Sequence, residues 1–289
     1  MERINFEDQI EKNKRNSLFL MISIALVIAA FGYIIAQVFG EGYFFVILVF
    51  SILFSVFYPI LIYNYSASIA TFSVGARRID RDKNRDIYNL VEGLTLASGL
   101  PMPKIYIMDS DQINAFASGK NPENAIICLT SGAIKKLDRR ELEAVISHEL
   151  SHIANYDIRY MTIVSVMVGM VSIISEVFLR SLFLKKSDNK KGDIFLIVGL
   201  VLAIFAPISV KLVQMAISRK REYAADATAV KFTRYPRALA NALRKIKEDS
   251  IVEKKVSKAV SPLFFANPFG SITSTHPPIE ERIKILENM

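Results

Sequence analysis

The residues with the most specific chemistry to offer are His148-Glu149-Leu150-Ser151-His152. Two of the chain's three histidines sit in this stretch. On an α-helix, positions four apart share one face, so both imidazoles project toward one point. A pair of imidazoles there suits a divalent ion, zinc first. Glu149 stands beside the first imidazole, where a general base for an activated water belongs. Two polar side chains satisfied by backbone partners on an apolar helix are the plainer account. The spacing, the scarcity of histidine and the partners downstream favour metal.

Zinc hydrolases use three protein ligands and leave the fourth position open. The third comes from Arg221-Glu222-Tyr223-Ala224-Ala225-Asp226. On a helix, Glu222 and Asp226 share a face. Glu222 would be the ligand, and Asp226 would accept the free ring N–H of a histidine ligand, fixing its tautomer. An ordinary solvated cluster beside Arg219, Lys220 and Arg221 is the rival reading. His276, in Ser274-Thr275-His276-Pro277-Pro278, is by spacing a ligand, a general acid or a helix-start residue. With three ligands named, a hydrogen bond to a developing oxyanion suits it better, from His276 or from Arg282.

These residues need elements to hold them. Asp138 followed by Glu141 is a capping box that starts the helix carrying the two histidines. Leu142, Val145, Ile146, Leu150 and Ile153 give that helix its apolar face. Asn155 is expected to end it in the left-handed conformation. Upstream, Ile87–Ala97 has helical periodicity, stopped by Gly99 and Pro101. Lys104–Met108, Ile113–Ser118 and Ala125–Thr130 are β-prone runs separated by turn chemistry, predicting a small antiparallel sheet. Pro236–Lys247 is amphipathic, and Pro278 opens a last short helix.

The 289 residues are 52% hydrophobic, with a net charge of +8. That apolar content points to membrane segments. No basic stripe is interleaved with aromatics, so nucleic acid is not the expected partner; anionic lipid accounts for the charge. The single cysteine, Cys128, excludes an intramolecular disulfide. Residues 17–39 and 43–63 are apolar runs long enough to span a bilayer core, for which roughly 20 residues suffice. Only Gly40-Glu41-Gly42 separates them, which demands a hairpin. Lys12, Lys14 and Arg15 precede it and Arg77, Arg78, Arg81, Lys83 and Arg85 follow it, which places both flanks in the cytoplasm. Residues 160–179 and 194–217 form a second apolar pair, interrupted by Glu176 and joined by a loop with Lys185, Lys186, Lys190 and Lys191. Two crossings between His148 and Glu222 return the chain to the same side, as a shared metal requires. The expected organisation is a hairpin over 1–76, the first part of a catalytic domain over 77–157, a second hairpin over 158–217, and the second part over 218–289. The irregular stretch 250–275, with Phe264, Phe265 and Phe269, reads as a lid or binding loop.

Taken in order, these motifs resemble the HtpX family of membrane metallopeptidases, related to the CAAX prenyl endopeptidases. The resemblance runs over nearly the whole chain. It rests on paired N-terminal spans, Asn114-Ala115-Phe116-Ala117, the His148–His152 motif followed by Asn155-x-Asp157, a second hydrophobic pair, Arg221-Glu222 to Asp226, and Thr275-His276-Pro277-Pro278 through Arg282-Ile283. It implies a mainly α fold with a small β-sheet: a four-helix integral membrane region plus a gluzincin-like metalloprotease domain. It further implies a multi-pass enzyme of the plasma membrane, one Zn2+ per chain, and a site facing the cytoplasm. Membrane or misfolded proteins would be cleaved in quality control and stress response. His148, His152 and Glu222 would bind zinc, and Glu149 would be the base. His276 and Arg282 would assist at the scissile carbonyl, and Asn114–Ala117 would be an edge strand that pairs with substrate. A CAAX-type processing protease and a non-catalytic metal-binding scaffold are the alternatives.

Overall fold

A computed structural model describes residues 6–39, 41–164, 219–249, 263–266 and 277–289. His276 and most of the second apolar pair, with Glu176 and its lysine-rich loop, lie outside the described residues.

The N-terminal apolar runs are both helical. α1 spans Phe6–Phe39 and α2 spans Glu41–Ser73. They pack as a hairpin, closely enough that a Cβ added at Gly32 would sit 2.0 Å from Ser51 Cβ. Within α2, Glu41–Leu61 has a mean hydropathy of 2.6 over 21 residues, long and apolar enough to cross a bilayer. It is the one such stretch among the described residues. Phe19, Leu26, Phe45, Phe50 and Phe57 point outward from the hairpin, a burial pattern that suits lipid and not water.

After the hairpin come β1 (Arg77–Arg78), α3 (Arg85–Ser98), β2 (Lys104–Met108), β3 (Ala115–Gly119) and β4 (Ala125–Thr130). Gly99 ends α3 in the left-handed region, as its position predicts. The sheet is mixed, where an antiparallel one was expected: its order is β1-β2-β4-β3, and β2 runs parallel to β4. The reason is the connection after β2. It passes the end of β4 and delivers β3 to the far edge, so β4 is inserted between two strands that precede it. At that crossing the chains nearly touch: Gly132 N–H donates to Ser110 O at 2.8 Å, and a Cβ on Gly132 would lie 2.2 Å from Asp111 O. Only glycine permits the approach.

The sheet has two buried faces. Ala115, Ala117, Ile127 and Leu129 join α3 and the histidine helix in the larger core. Phe116, Ile126 and Cys128 face the other way, onto Leu20, Ile24 and Ala70 of the hairpin and onto Met161 and Val164. The α1–α2 hairpin is therefore seated against the back of the sheet.

Three further helices complete the described part after α4 (Ser131–Lys136) and α5 (Arg139–Ala154): α6 (Arg219–Thr233), α7 (Pro236–Glu248) and α8 (Ile279–Glu287). The capping box of α5 forms as expected, with Asp138 accepting from Glu141 N and the Glu141 side chain accepting from Asp138 N. Its end differs. Asn155 has φ −85°, and the left-handed residue is Tyr156, φ 58°. The displacement by one residue leaves Asn155 O pointing inward as an acceptor.

Candidate metal centre

α5 supplies His148, Glu149 and His152 from a stretch buried continuously from Ala144 to Ile153. α6 packs across it and brings in Glu222 and Asp226, one turn apart and both buried. The two imidazole Nε2 atoms are 3.1 Å apart. Glu222 Oε2 is 3.7 Å from the Nε2 of His148, and Oε1 is 3.6 Å from that of His152. Ligand atoms placed tetrahedrally at zinc–nitrogen and zinc–oxygen distances are separated by roughly 3.3–3.6 Å. The three side chains thus have the type and spacing of a zinc site.

The other ring nitrogens each face a buried carboxylate. His148 Nδ1 lies 2.9 Å from Asp226 Oδ1, and His152 Nδ1 lies 3.0 Å from Asp157 Oδ2. Asp226 is itself gripped by Arg282, whose Nε reaches Oδ2 at 2.8 Å and whose Nη2 reaches Oδ1 at 2.7 Å. The third guanidinium nitrogen lies 3.6 Å from Glu222 Oε2. Arg282 is buried, and its fork is committed to these two carboxylates. Burial works against a charged Asp226, but the Arg282 charge outweighs it and lowers the carboxyl pKa.

Burial lowers the His148 pKa to about 4, against the pull of Asp226. Burial also disfavours a charged His152, but the Asp157 hydrogen bond and the Glu222, Asp157 and Glu149 charges overcome it, raising the pKa to about 9. Zinc binding through the His152 ring at neutral pH would then displace a proton. Apparent zinc affinity is expected to rise by about tenfold per pH unit between 7 and 9, then flatten. Competition against a chelator of known affinity measures this; a flat profile over that window would contradict it.

Burial also raises the Glu149 pKa to about 7, with His152 opposing and Glu222 adding. The backbone of Ala117 hydrogen-bonds the Glu149 carboxylate, so β3 touches the candidate base directly. β3, which begins directly after Asn114, pairs with β4 and forms one edge of the sheet. Part of that edge is already occupied by residues 263–266. Phe265 N–H donates to Ala115 O at 2.8 Å, and Phe116 bridges antiparallel to Phe264. The Asn114 side chain donates to Ala266 O at 2.7 Å and accepts from Ala266 N at 3.1 Å. The Phe265 ring stands edge-on to His148, centroids 4.7 Å apart, with the Arg282 guanidinium 4.8 Å from its own centroid.

Two contributors escaped the residue-level reading: Asp157 and Asn13. Asp157 stands in the Asn155-x-Asp157 motif, just past the helix break, and that spacing was its only signal. Asn13, whose side chain donates to Asp157 Oδ1 at 2.7 Å, had none.

A buried His-His-Glu donor set with a carboxylate beside it is the mark of a metal-dependent peptidase, and the comparisons agree. The chain belongs to peptidase family M48, whose profile matches residues 81–289. It is a metalloprotease, hydrolysing peptide bonds. Among its relatives, a protease HtpX homologue of Caldanaerobacter subterraneus subsp. tengcongensis is 42% identical, covering 100% of this chain and 99% of its own length. One from Dictyoglomus turgidum is also 42% identical, covering 100% and 96%. The crystal structure of S. mikatae Ste24p superposes with a TM-score of 0.51 at 19% identity, over 96% of this chain and 67% of that one; it shares the fold.

Proposed function

We propose that the chain is a zinc-dependent endopeptidase anchored in the plasma membrane, cleaving membrane or misfolded polypeptides from the cytoplasmic side. The observation that carries this reading is the convergence of His148, His152 and Glu222 within 4.8 Å, all buried, with Glu149 adjoining. His148, His152 and Glu222 would hold the ion, which supplies Lewis acidity toward a carbonyl and toward water. Glu149 takes a proton from the attacking water and passes it to the leaving amine, a task suited to a carboxyl whose pKa lies near neutrality. Asp226 and Asp157 would fix the two imidazole tautomers, and Arg282 keeps Asp226 charged and holds it and Glu222 in place. His276 is retained as a candidate donor to the developing oxyanion. Substrate would add to β3 as an extended strand at Asn114–Ala117. The basic residues on both flanks of the hairpin support a cytoplasmic site, and the full-length relatedness to HtpX proteases supports a role in protein quality control.

The purified protein in detergent is expected to digest an unfolded polypeptide. A chelator should abolish the activity and added zinc should restore it. Cleavage that continues after complete metal removal would overturn the reading.

A further inference from the structure

The helix that leads into the membrane also reaches the metal centre. α1 begins at Phe6, well before the apolar run, and its first turns carry Lys12, Lys14 and Arg15 on the outside. Asn13, Ser17, Leu20 and Ile24 form its buried stripe, one helical face by spacing. Asn13 is 6% exposed, and its amide nitrogen is shared between Asn155 O at 3.0 Å and Asp157 Oδ1 at 2.7 Å. The other oxygen of the same carboxylate, Oδ2, meets His152 Nδ1 at 3.0 Å.

Asp157 is thus clamped at both ends, by an imidazole on one oxygen and by the N-terminal helix on the other. A carboxylate fixed at one oxygen can aim the second, and the aim of Oδ2 sets the orientation of the His152 ring. Arg221 also faces Asp157, but its Nε stands 3.8 Å away and its guanidinium lies over the Tyr160 ring, so the short contact is that of Asn13. Partners one step behind a metal ligand typically control metal affinity by 10–100-fold.

We infer that Asn13 is a positioning residue for the metal-ligating nitrogen of His152, acting through Asp157, so that zinc retention depends on how the membrane helix is docked. The inference rests on His152 being a zinc ligand. A purely structural role, in which Asn13 only fastens α1 to the end of α5, makes a different prediction. Lys14 provides the comparison: it docks the same helix through the Tyr156 ring, 4.4 Å from its centroid.

The test uses the full-length zinc-loaded protein in detergent, with zinc release to a chromogenic chelator as the first readout and kcat and KM as the second. Asn13→Leu should speed zinc release by about tenfold or more and lower kcat with little change in KM. Asn13→Ser, smaller and unable to span the gap, should behave alike and serves if the leucine variant misfolds. Lys14→Ala should leave release and kcat near those of the wild type. Unchanged zinc release in both Asn13 variants overturns the proposal, and so does an equal acceleration by Lys14→Ala, which would mean docking alone. His152→Ala separates the levels. If it loses zinc while the Asn13 variants do not, the positioning role falls and the metal site stands; if it keeps zinc as tightly as the wild type, the metal-site reading falls and this proposal with it.

Discussion

Glu149→Gln is expected to reduce kcat by about 10²–10⁴-fold, the range typical of a positioned general base, while zinc content stays at the wild-type level. The glutamine has the shape of the glutamate and can still accept from the Ala117 backbone. What it lacks is a lone pair basic enough to take a proton from water. Zinc should remain because Glu149 is not among the three convergent donors. Metal analysis and steady-state kinetics on the same preparation check both halves. A variant that cleaves at the wild-type rate would remove Glu149 from the mechanism, and one that loses its metal would make it a ligand.

The second large effect is on stability. Arg282→Leu is expected to cost roughly 3–5 kcal/mol, because removing one partner of a buried ion pair strands the other. Asp226 and Glu222 both face the guanidinium, and both are buried. The loss should appear as a lower unfolding midpoint for the metal-free protein in detergent. Adding Asp226→Asn should recover part of it, since the stranded charge is then gone and the two sites are in contact. Were Arg282 instead reserved for the substrate, the single variant would unfold like the wild type and lose only kcat.

The residues of the candidate metal centre were legible because the rules that pair them are local. His148 and His152 are one turn apart, Glu222 and Asp226 are one turn apart, and the chemistry of each pair limits what they can do together. The capping box at Asp138 and the glycine stop after α3 are local in the same sense. Strand order is not: nothing within Lys104–Met108 or Ala125–Thr130 says that one lies parallel beside the other. That pairing depends on where the loop through Asp111 crosses, and the close approach at Gly132 shows itself only in three dimensions. Arg282 reads from sequence as a donor to a developing oxyanion, and its commitment to Asp226 spans 56 positions. Asn13 and Asp157 are 144 positions apart. Local patterns hold no record of such a contact.

If substrate adds to β3, the segment Leu263–Ala266 would turn its capture into an exchange. A peptide laid antiparallel on β3 would ask for Ala115 O and for both ends of the Asn114 amide, the groups already taken by Phe265 and Ala266. Its backbone hydrogen bonds then replace others of the same kind and bring little net gain. Apparent affinity would be reduced in proportion to the share of molecules whose edge is bare. Discrimination would then come from side chains that outcompete Phe264 and Phe265 for their apolar seats, and the chain would carry its own reference ligand, against which every polypeptide is weighed.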